Sequence, residues 1–265
     1  KSTEITGEAL FDGKDLFSIS EAEMNELRWM KLAVVFQKAM NALSPVHRIS
    51  TQIEDIYRVH CPNASGEEIQ ERAMELLKLV NLPPRVYRLY PHEMSGGMLQ
   101  RVAIAISLLH HPQLLIFDEA TTALDVVTQG QILREILEME KTLETTRIMI
   151  THDMSVVATT CNKVAVMYAG ELMEFGMVKD VLTRPRHPYT QGLQDSFPSL
   201  KGENPKLLSI PGFLPDLSKD IPGCVFAPRC AHATERCRRE KPPMTKTSEA
   251  GQAACWLCVG DENGK

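Results

Sequence analysis

Two carboxylates follow directly on a short apolar run: Leu114-Leu115-Ile116-Phe117 leads into Asp118-Glu119. One such acid can hold a hydrated Mg²⁺ while the other takes a proton from water. Upstream, Ser95-Gly96-Gly97 precedes a stretch in which Met98, Val102, Ala105, Ile106 and Leu109 recur at helical spacing. A hydroxyl and unobstructed glycine amides at a helix N-terminus attract phosphate, because first-turn N–H groups lack intrahelical partners and the helix dipole is positive there. Ala123-Leu124-Asp125 follows the acids after a short turn. A separate group is sulfur: of seven cysteines, Cys224, Cys230, Cys237, Cys255 and Cys258 fall near the C-terminal end. Taken singly, each piece has a plainer reading. Ser-Gly-Gly is usually a turn and cap, and Asp-Glu after a strand is usually a solvated loop.

The elements around these residues read as an α/β core. Residues 114–117 have the length and composition of a strand buried on both faces of a parallel sheet, and open α/β sheets present ligands at their strands' carboxyl ends. Residues 32–36 and 147–150 are further buried-strand runs, ending at Gln37 and at Thr151-His152-Asp153. Asp12-Gly13 is a favoured hairpin dipeptide. Ser20 with Glu23 predicts a capping box and a short helix to about Met30, and Ser65 with Glu68 predicts a second box. Ile69, Ala73, Leu76, Leu77 and Val80 mark one face of the helix that follows, which Leu82-Pro83-Pro84 stops. After Asp125, Ile132, Leu133, Ile136 and Leu137 predict another helix. Residues 164–168 and 172–175 flank Ala169-Gly170-Glu171 as a hairpin. From Thr183 the chain turns Pro-rich and basic, and it reads as loop-like to its end.

Composition narrows the classes. The 265 residues suffice for one large domain or a domain with an appendage, and 43% hydrophobic content is ordinary for a globular protein. A net charge of −5 argues against a broad nucleic-acid surface. No apolar stretch approaches the roughly 18 residues of a membrane span. Without a signal-peptide pattern at Lys1-Ser2-Thr3-Glu4, the expectation is a cytoplasmic protein that reaches a membrane through partners.

In this order and spacing, the pieces resemble the ABC-type ATPases. Ser95-Gly96-Gly97-Met98 matches their signature motif, with Met where most of that superfamily has Gln. Residues 114–118 match the Walker B strand, and Ala123-Leu124-Asp125 the D-loop. The Met, and the string PRHPYTQGL followed by Pro198-Ser199-Leu200, resemble the oligopeptide/dipeptide importer branch, so the resemblance covers nearly the whole chain. It implies an α/β, RecA-like P-loop NTPase core over residues 1–182, with a helical subdomain at about 38–112. A loop-rich C-terminal extension with a Cys-ligated metal site then spans 183–265.

The resemblance also implies roles. Asp118 serves Mg²⁺, Glu119 is the catalytic base, and His152 and Gln37 sense the γ-phosphate of ATP. Ser95, Gly96 and Gly97 cap the ATP held by the other member of a head-to-tail pair of ATPase subunits, homo- or heterodimeric, and the D-loop Asp125 counts with them among the nucleotide-binding residues. Transmembrane permease subunits, and indirectly an extracytoplasmic solute-binding protein, complete the assembly at the cytoplasmic face of the cell membrane. Peptides are the default cargo, with nickel and other small solutes open. A lone Gln or His is more often a loop or structural residue; position after each strand favours the functional reading here.

One departure stands out. No G-x-x-x-x-G-K-[ST] occurs in the chain. Lys1-Ser2-Thr3 looks like the end of such a motif, but only Glu4-Ile5-Thr6 separate it from the Gly7 turn, where a helix of several turns is required. The expectation is therefore a sequence that starts downstream of the phosphate loop and does not hydrolyse ATP by itself. Two rivals follow: a soluble ABC ATPase acting on DNA or the ribosome, and a non-catalytic scaffold subunit.

Cys224, Cys230, Cys237 and Cys255 are spaced C-x₅-C-x₆-C-x₁₇-C. In a cytoplasmic protein such clustering favours metal over disulfides. Zinc usually shows tighter C-x₂₋₄-C pairs, and the one such pair is Cys255 to Cys258. The wider gaps resemble importer ATPases whose extension carries a 4Fe–4S cluster. That cluster is the expectation, with Zn²⁺ the alternative and Cys258 a spare ligand.

Overall fold

The computed structural model describes residues 4–37, 42–120, 126–140, 145–196 and 209–259. Lys1-Ser2-Thr3, Ala123-Leu124-Asp125 and Pro198-Ser199-Leu200 lie outside the described residues. The chain divides into two compact units, residues 1–153 and 154–265.

The first unit opens on strands β1 (Leu10–Phe11) and β2 (Lys14–Asp15), joined by Asp12 and Gly13 at φ 52° and 77°. Two positive φ values give the turn that follows the strands' own twist, which is why Asp-Gly predicts it. Helix α1 (Glu21–Leu27) has both halves of its capping box: Ser20 Oγ accepts the Glu23 amide at 3.3 Å, and Glu23 Oε2 accepts the Ser20 amide at 2.9 Å. The second expected box is bonded differently. Ser65 Oγ accepts the Glu68 amide at the head of the helix Gly66–Leu79, but Glu68 Oε1 accepts the Tyr57 hydroxyl at 3.2 Å. That bond ties α3 (Gly66–Leu79) to α2 (Ile49–His60).

Strands β3 (Leu32–Val35), β4 (Leu114–Asp118) and β5 (Thr146–Ile150) form a parallel sheet with β4 central. Helix α4 (Gly96–Ser107) leads into β4, and α5 (Val126–Glu140) separates β4 from β5. One core cluster joins Ala33, Val35, Leu115 and Phe117 of the sheet to Val102 and Ala105 of α4 and to Ile132 and Ile136 of α5. The predicted face of α3 is buried in the same cluster. Phe117 is fully buried, so truncating it to Ala costs about 3–5 kcal/mol.

The sheet corrects one expectation. Burial alternates along β3 and β4, and Ile148 and Ile150 of β5 are 46% and 51% exposed. Successive strand residues face opposite sides; within these 265 residues the core cluster covers one side of the sheet, while the other side is half-buried in β3 and β4 and exposed in β5.

The second unit contains α6 (Met154–Thr160) and the hairpin of β6 (Lys163–Tyr168) and β7 (Glu171–Met177), turned by Ala169 and Gly170 at φ 52° and 82°. Next come α7 (Val178–Thr183), α8 (Pro188–Asp195), α9 (Glu235–Arg239), β8 (Met244–Lys246) and β9 (Gln252–Ala254). The strands make an antiparallel sheet in the order β6-β7-β9-β8. The stretch after 183 thus adds two strands to the hairpin's sheet, where composition alone suggests loops. A small core of Tyr168, Met173, Val225 and Phe226 underlies it.

Candidate functional site

The three parallel strands end on one edge of the sheet, and each delivers a polar residue there. Gln37 follows β3, Asp118 ends β4, Glu119 comes next, and His152 follows β5. Glu119 stands between the other two. Gln37 Nε2 donates to Glu119 Oε2 at 2.7 Å, and His152 Nδ1 lies 3.3 Å from Glu119 Oε1. The Glu119 amide donates to the Ile150 carbonyl at 2.9 Å, which locks the turn to the end of β5. Glu119 adopts φ 46°, a left-handed backbone that costs about 1–3 kcal/mol for a residue with a side chain. A carboxylate aimed by strain, with the Gln37 amide donating to one oxygen and the His152 ring beside the other, suits a base that must face one fixed water. The Glu119 side chain is 28% exposed and His152 73%, so the edge is open to a ligand.

The turn bearing His152 is tied down on both sides. The Asp153 amide donates to Thr151 Oγ1 at 3.1 Å, and Gln129 Nε2 of α5 donates to Asp153 Oδ2 at 3.3 Å.

Ser95, Gly96 and Gly97 sit elsewhere, at the start of α4. Ser95 is exposed, and its Oγ accepts the Met98 amide at 3.3 Å. The first turn of α4 carries no acidic residue, whereas α1 has Glu21 and Glu23 and α3 has Glu67 and Glu68. The positive end of α4 is therefore not neutralised by a carboxylate of its own first turn. Asp125 lies outside the described residues.

In the second unit Cys224, Cys230, Cys237 and Cys255 line one cavity of about 120 Å³, with His187 and Trp256 on its wall. Burial pushes the Cys224 and Cys230 thiols up, and their cysteine neighbours push the same way. Backbone N–H groups of Phe226 and Ala227 at Cys224, and of His232 at Cys230, act oppositely by favouring thiolate. The Cys255 thiol is raised first by its hydrogen bond with Cys258, then by burial. Among the described residues, no group of three or more His, Cys, Asp or Glu side chains is arranged to hold a metal ion. The four cysteines thus share a cavity, and the Cys-ligated metal site expected from the sequence is not shown among the described residues.

Sequence reasoning missed Glu174. It is 2% exposed and accepts the Arg186 and His187 amides at 2.8 and 3.0 Å, fastening the PRHPYT string to β7. An acid in the interior of strand Glu171–Met177, between Met173 and Phe175, is the signal that could have found it. Burial also lowers the His187 pKa to about 4, and its Nδ1 accepts the Tyr189 amide at 3.0 Å.

No helix among the described residues is long and apolar enough to cross a membrane. The ABC transporter family profile matches residues 1–122, and the profile for the oligopeptide/dipeptide transporter C-terminal region matches residues 173–237. The chain is 44% identical over 255 residues to a probable peptide ABC transporter ATP-binding protein, y4tR, of Sinorhizobium fredii, covering 95% of this chain and 76% of the relative. It is 44% identical over 258 residues to the oligopeptide transport ATP-binding protein OppD of Bacillus subtilis, covering 96% and 72%. The fold is similar to that of the ATP-binding cassette MJ0796, a dimer in a post-hydrolysis state bound to ADP and Pi. The TM-score is 0.58 at 29% identity, over 65% of this chain and 74% of that one. With Gln37, Glu119 and His152 gathered at the carboxyl ends of a parallel sheet, and relatives matched along nearly its whole length, this chain belongs to the ATP-binding subunits of ABC transporters of the oligopeptide/dipeptide type.

Proposed function

We propose that the chain is the ATP-hydrolysing subunit that powers import of di- or oligopeptides, or related small solutes, from the cytoplasmic face of the cell membrane. The observation that carries the catalytic half is the Glu119 carboxylate held between Gln37 and His152. Peptide cargo is supported by the names of the relatives and by the match of the C-terminal region.

In this reading residues 1–182 are the ATPase unit and 183–265 the extension. Asp118 and Gln37 offer the hard oxygen donors that Mg²⁺ prefers. Glu119 accepts a proton from the attacking water, and His152 orients Glu119 and contacts the γ-phosphate. Ser95, Gly96 and Gly97 cap ATP held on the phosphate loop of a second ATPase subunit, with Asp125 facing that partner. Because the 265 residues contain no G-x-x-x-x-G-K-[ST], the cradle for the β- and γ-phosphates is not among them. Permease subunits receive the motion of the pair, and an extracytoplasmic solute-binding protein delivers the cargo to them.

The four cysteines around the second unit's cavity are proposed to hold a 4Fe–4S cluster, with Zn²⁺ the alternative. Their fit rests on two features: four thiols on one small cavity, and backbone N–H groups directed at sulfur, which favour the thiolate a metal needs. A cluster would supply a structural or redox-sensing centre.

The test is transport. In vesicles containing the subunit, its ATPase partner, the permease and the solute-binding protein, ATP inside should drive accumulation of a labelled oligopeptide. ATP-dependent accumulation of nickel without any peptide uptake would contradict peptides as the cargo and leave the small-solute alternative.

A further inference from the structure

The first turn of α5 touches both halves of the nucleotide machinery. An ideal Cβ on Gly97 would stand 2.7 Å from Thr128 Cγ2, closer than real carbon atoms approach. A side chain at position 97 would therefore require the Thr128 methyl to move. The neighbouring residue, Gln129, donates to Asp153 at the turn that carries His152. One helical turn farther along α4, Arg101 bonds α5 twice: to Gln131 Oε1 at 3.1 Å and to Glu135 Oε1 at 3.2 Å. The Arg101 and Glu135 side chains are only 16% and 10% exposed, so solvent screens this ion pair weakly. Positions 97 and 101 share one face of α4, and positions 128, 131 and 135 share one face of α5.

We infer that Thr128 and Gln129 are positioning residues that join the Ser95-Gly96-Gly97 turn and the Glu119–His152 pair into one mechanical unit. The inference rests on the proposed roles of those groups. Its physical content is a steric lock beside a hydrogen bond. On a helix a Thr side chain is held to two χ1 rotamers, so the Thr128 methyl has one alternative placement, reached only by moving its hydroxyl as well. When α5 shifts, the capping turn and the His152 turn must shift with it. A head-to-tail pair needs that linkage, since each subunit caps one nucleotide while activating water at the other.

The test is a steric rescue, in a polypeptide that carries a phosphate loop ahead of Lys1. Gly97→Ala adds the clashing carbon; Thr128→Ser removes the methyl it meets. Gly97→Ala should lower kcat about tenfold or more while ATP binding to the separated subunit is unchanged, because the capping turn meets nucleotide only in the closed pair. Adding Thr128→Ser should restore kcat to within about threefold of the unsubstituted protein. A double variant that stays as slow as Gly97→Ala overturns the lock, since the glycine would then be needed for something other than room for Thr128. If Gly97→Ala alone does not fold, the double variant is read by itself: a rate within about threefold supports the lock, and a folded, inactive protein overturns it. Ser95→Ala in the same assay separates the two readings. An unchanged rate there refutes the capping role of the turn, whatever the rescue shows.

Discussion

Gln37 Nε2 donates to Glu119 Oε2 at 2.7 Å across 82 residues of sequence, from the end of β3 to the end of β4. This bond occupies one carboxylate oxygen and leaves the other beside His152. With a G-x-x-x-x-G-K-[ST] segment supplied upstream, Gln37→Ala should cut hydrolysis about tenfold by freeing the carboxylate to rotate. Gln37→Glu should cut it further, because a like charge then faces Glu119. Steady-state phosphate release measures both, and a Gln37→Glu variant as fast as the unsubstituted protein would remove the bond from the mechanism.

His152→Ala in the same protein should lower kcat on the order of 10²-fold. Its side chain is 73% exposed, so folding should hardly notice: exposed substitutions usually stay within about 0.5 kcal/mol. Thermal unfolding beside the rate decides this. A collapsed melting temperature with normal activity per folded molecule would make His152 a structural residue.

The edge that these residues share was legible because strand ends are punctuated. Gln37, Asp118-Glu119 and Thr151-His152 each follow an apolar run, and a parallel sheet aligns such ends. The Asp12-Gly13 turn and the Ser20–Glu23 box were legible for the same reason, being local chemistry. What periodicity could not show is which faces meet. Nothing in the spacing of Gly97 and Thr128, or of Glu174 and His187, announces their contact. That the core cluster covers one side of the sheet was equally hidden, because β3 and β4 spell apolar residues on both sides.

Acidification should destabilise the first unit through two histidines. Burial, then the neighbouring His60, lowers the His110 pKa; burial, then Arg72, lowers that of His111. A lowered folded pKa means that the unfolded chain binds more protons just below pH 6.5, so this stabilisation is complete above that pH and is lost as pH falls toward the folded values. His110 packs its ring 4.9 Å from Tyr57 and 5.1 Å from His60. His110→Phe keeps a ring there and should flatten the fall in urea midpoint between pH 7 and pH 5. An identical pH profile in that variant would clear His110.

The 265-residue chain by itself should show no ATP hydrolysis above background, because the phosphate cradle that positions and neutralises the transferred group is not in its sequence. Robust turnover by the purified chain would mean that another segment supplies that cradle.

Anaerobically purified protein should contain iron and inorganic sulfide in near-equal amounts, and Cys224→Ala should lose both. Ordering of the second unit should suffer more than nucleotide binding, since the cavity is built wholly from residues 187–257. Stoichiometric zinc without iron would replace the cluster assignment, and protein free of any metal would remove the site.

The central claim is that Glu119 takes the proton from the attacking water. Glu119→Gln keeps the shape and the Gln37 contact distance but cannot accept that proton. In the protein with its phosphate loop supplied, the account predicts unchanged ATP binding, hydrolysis reduced at least 10²-fold, and an ATP-trapped dimer on size-exclusion chromatography. Near-normal phosphate release by Glu119→Gln would contradict it.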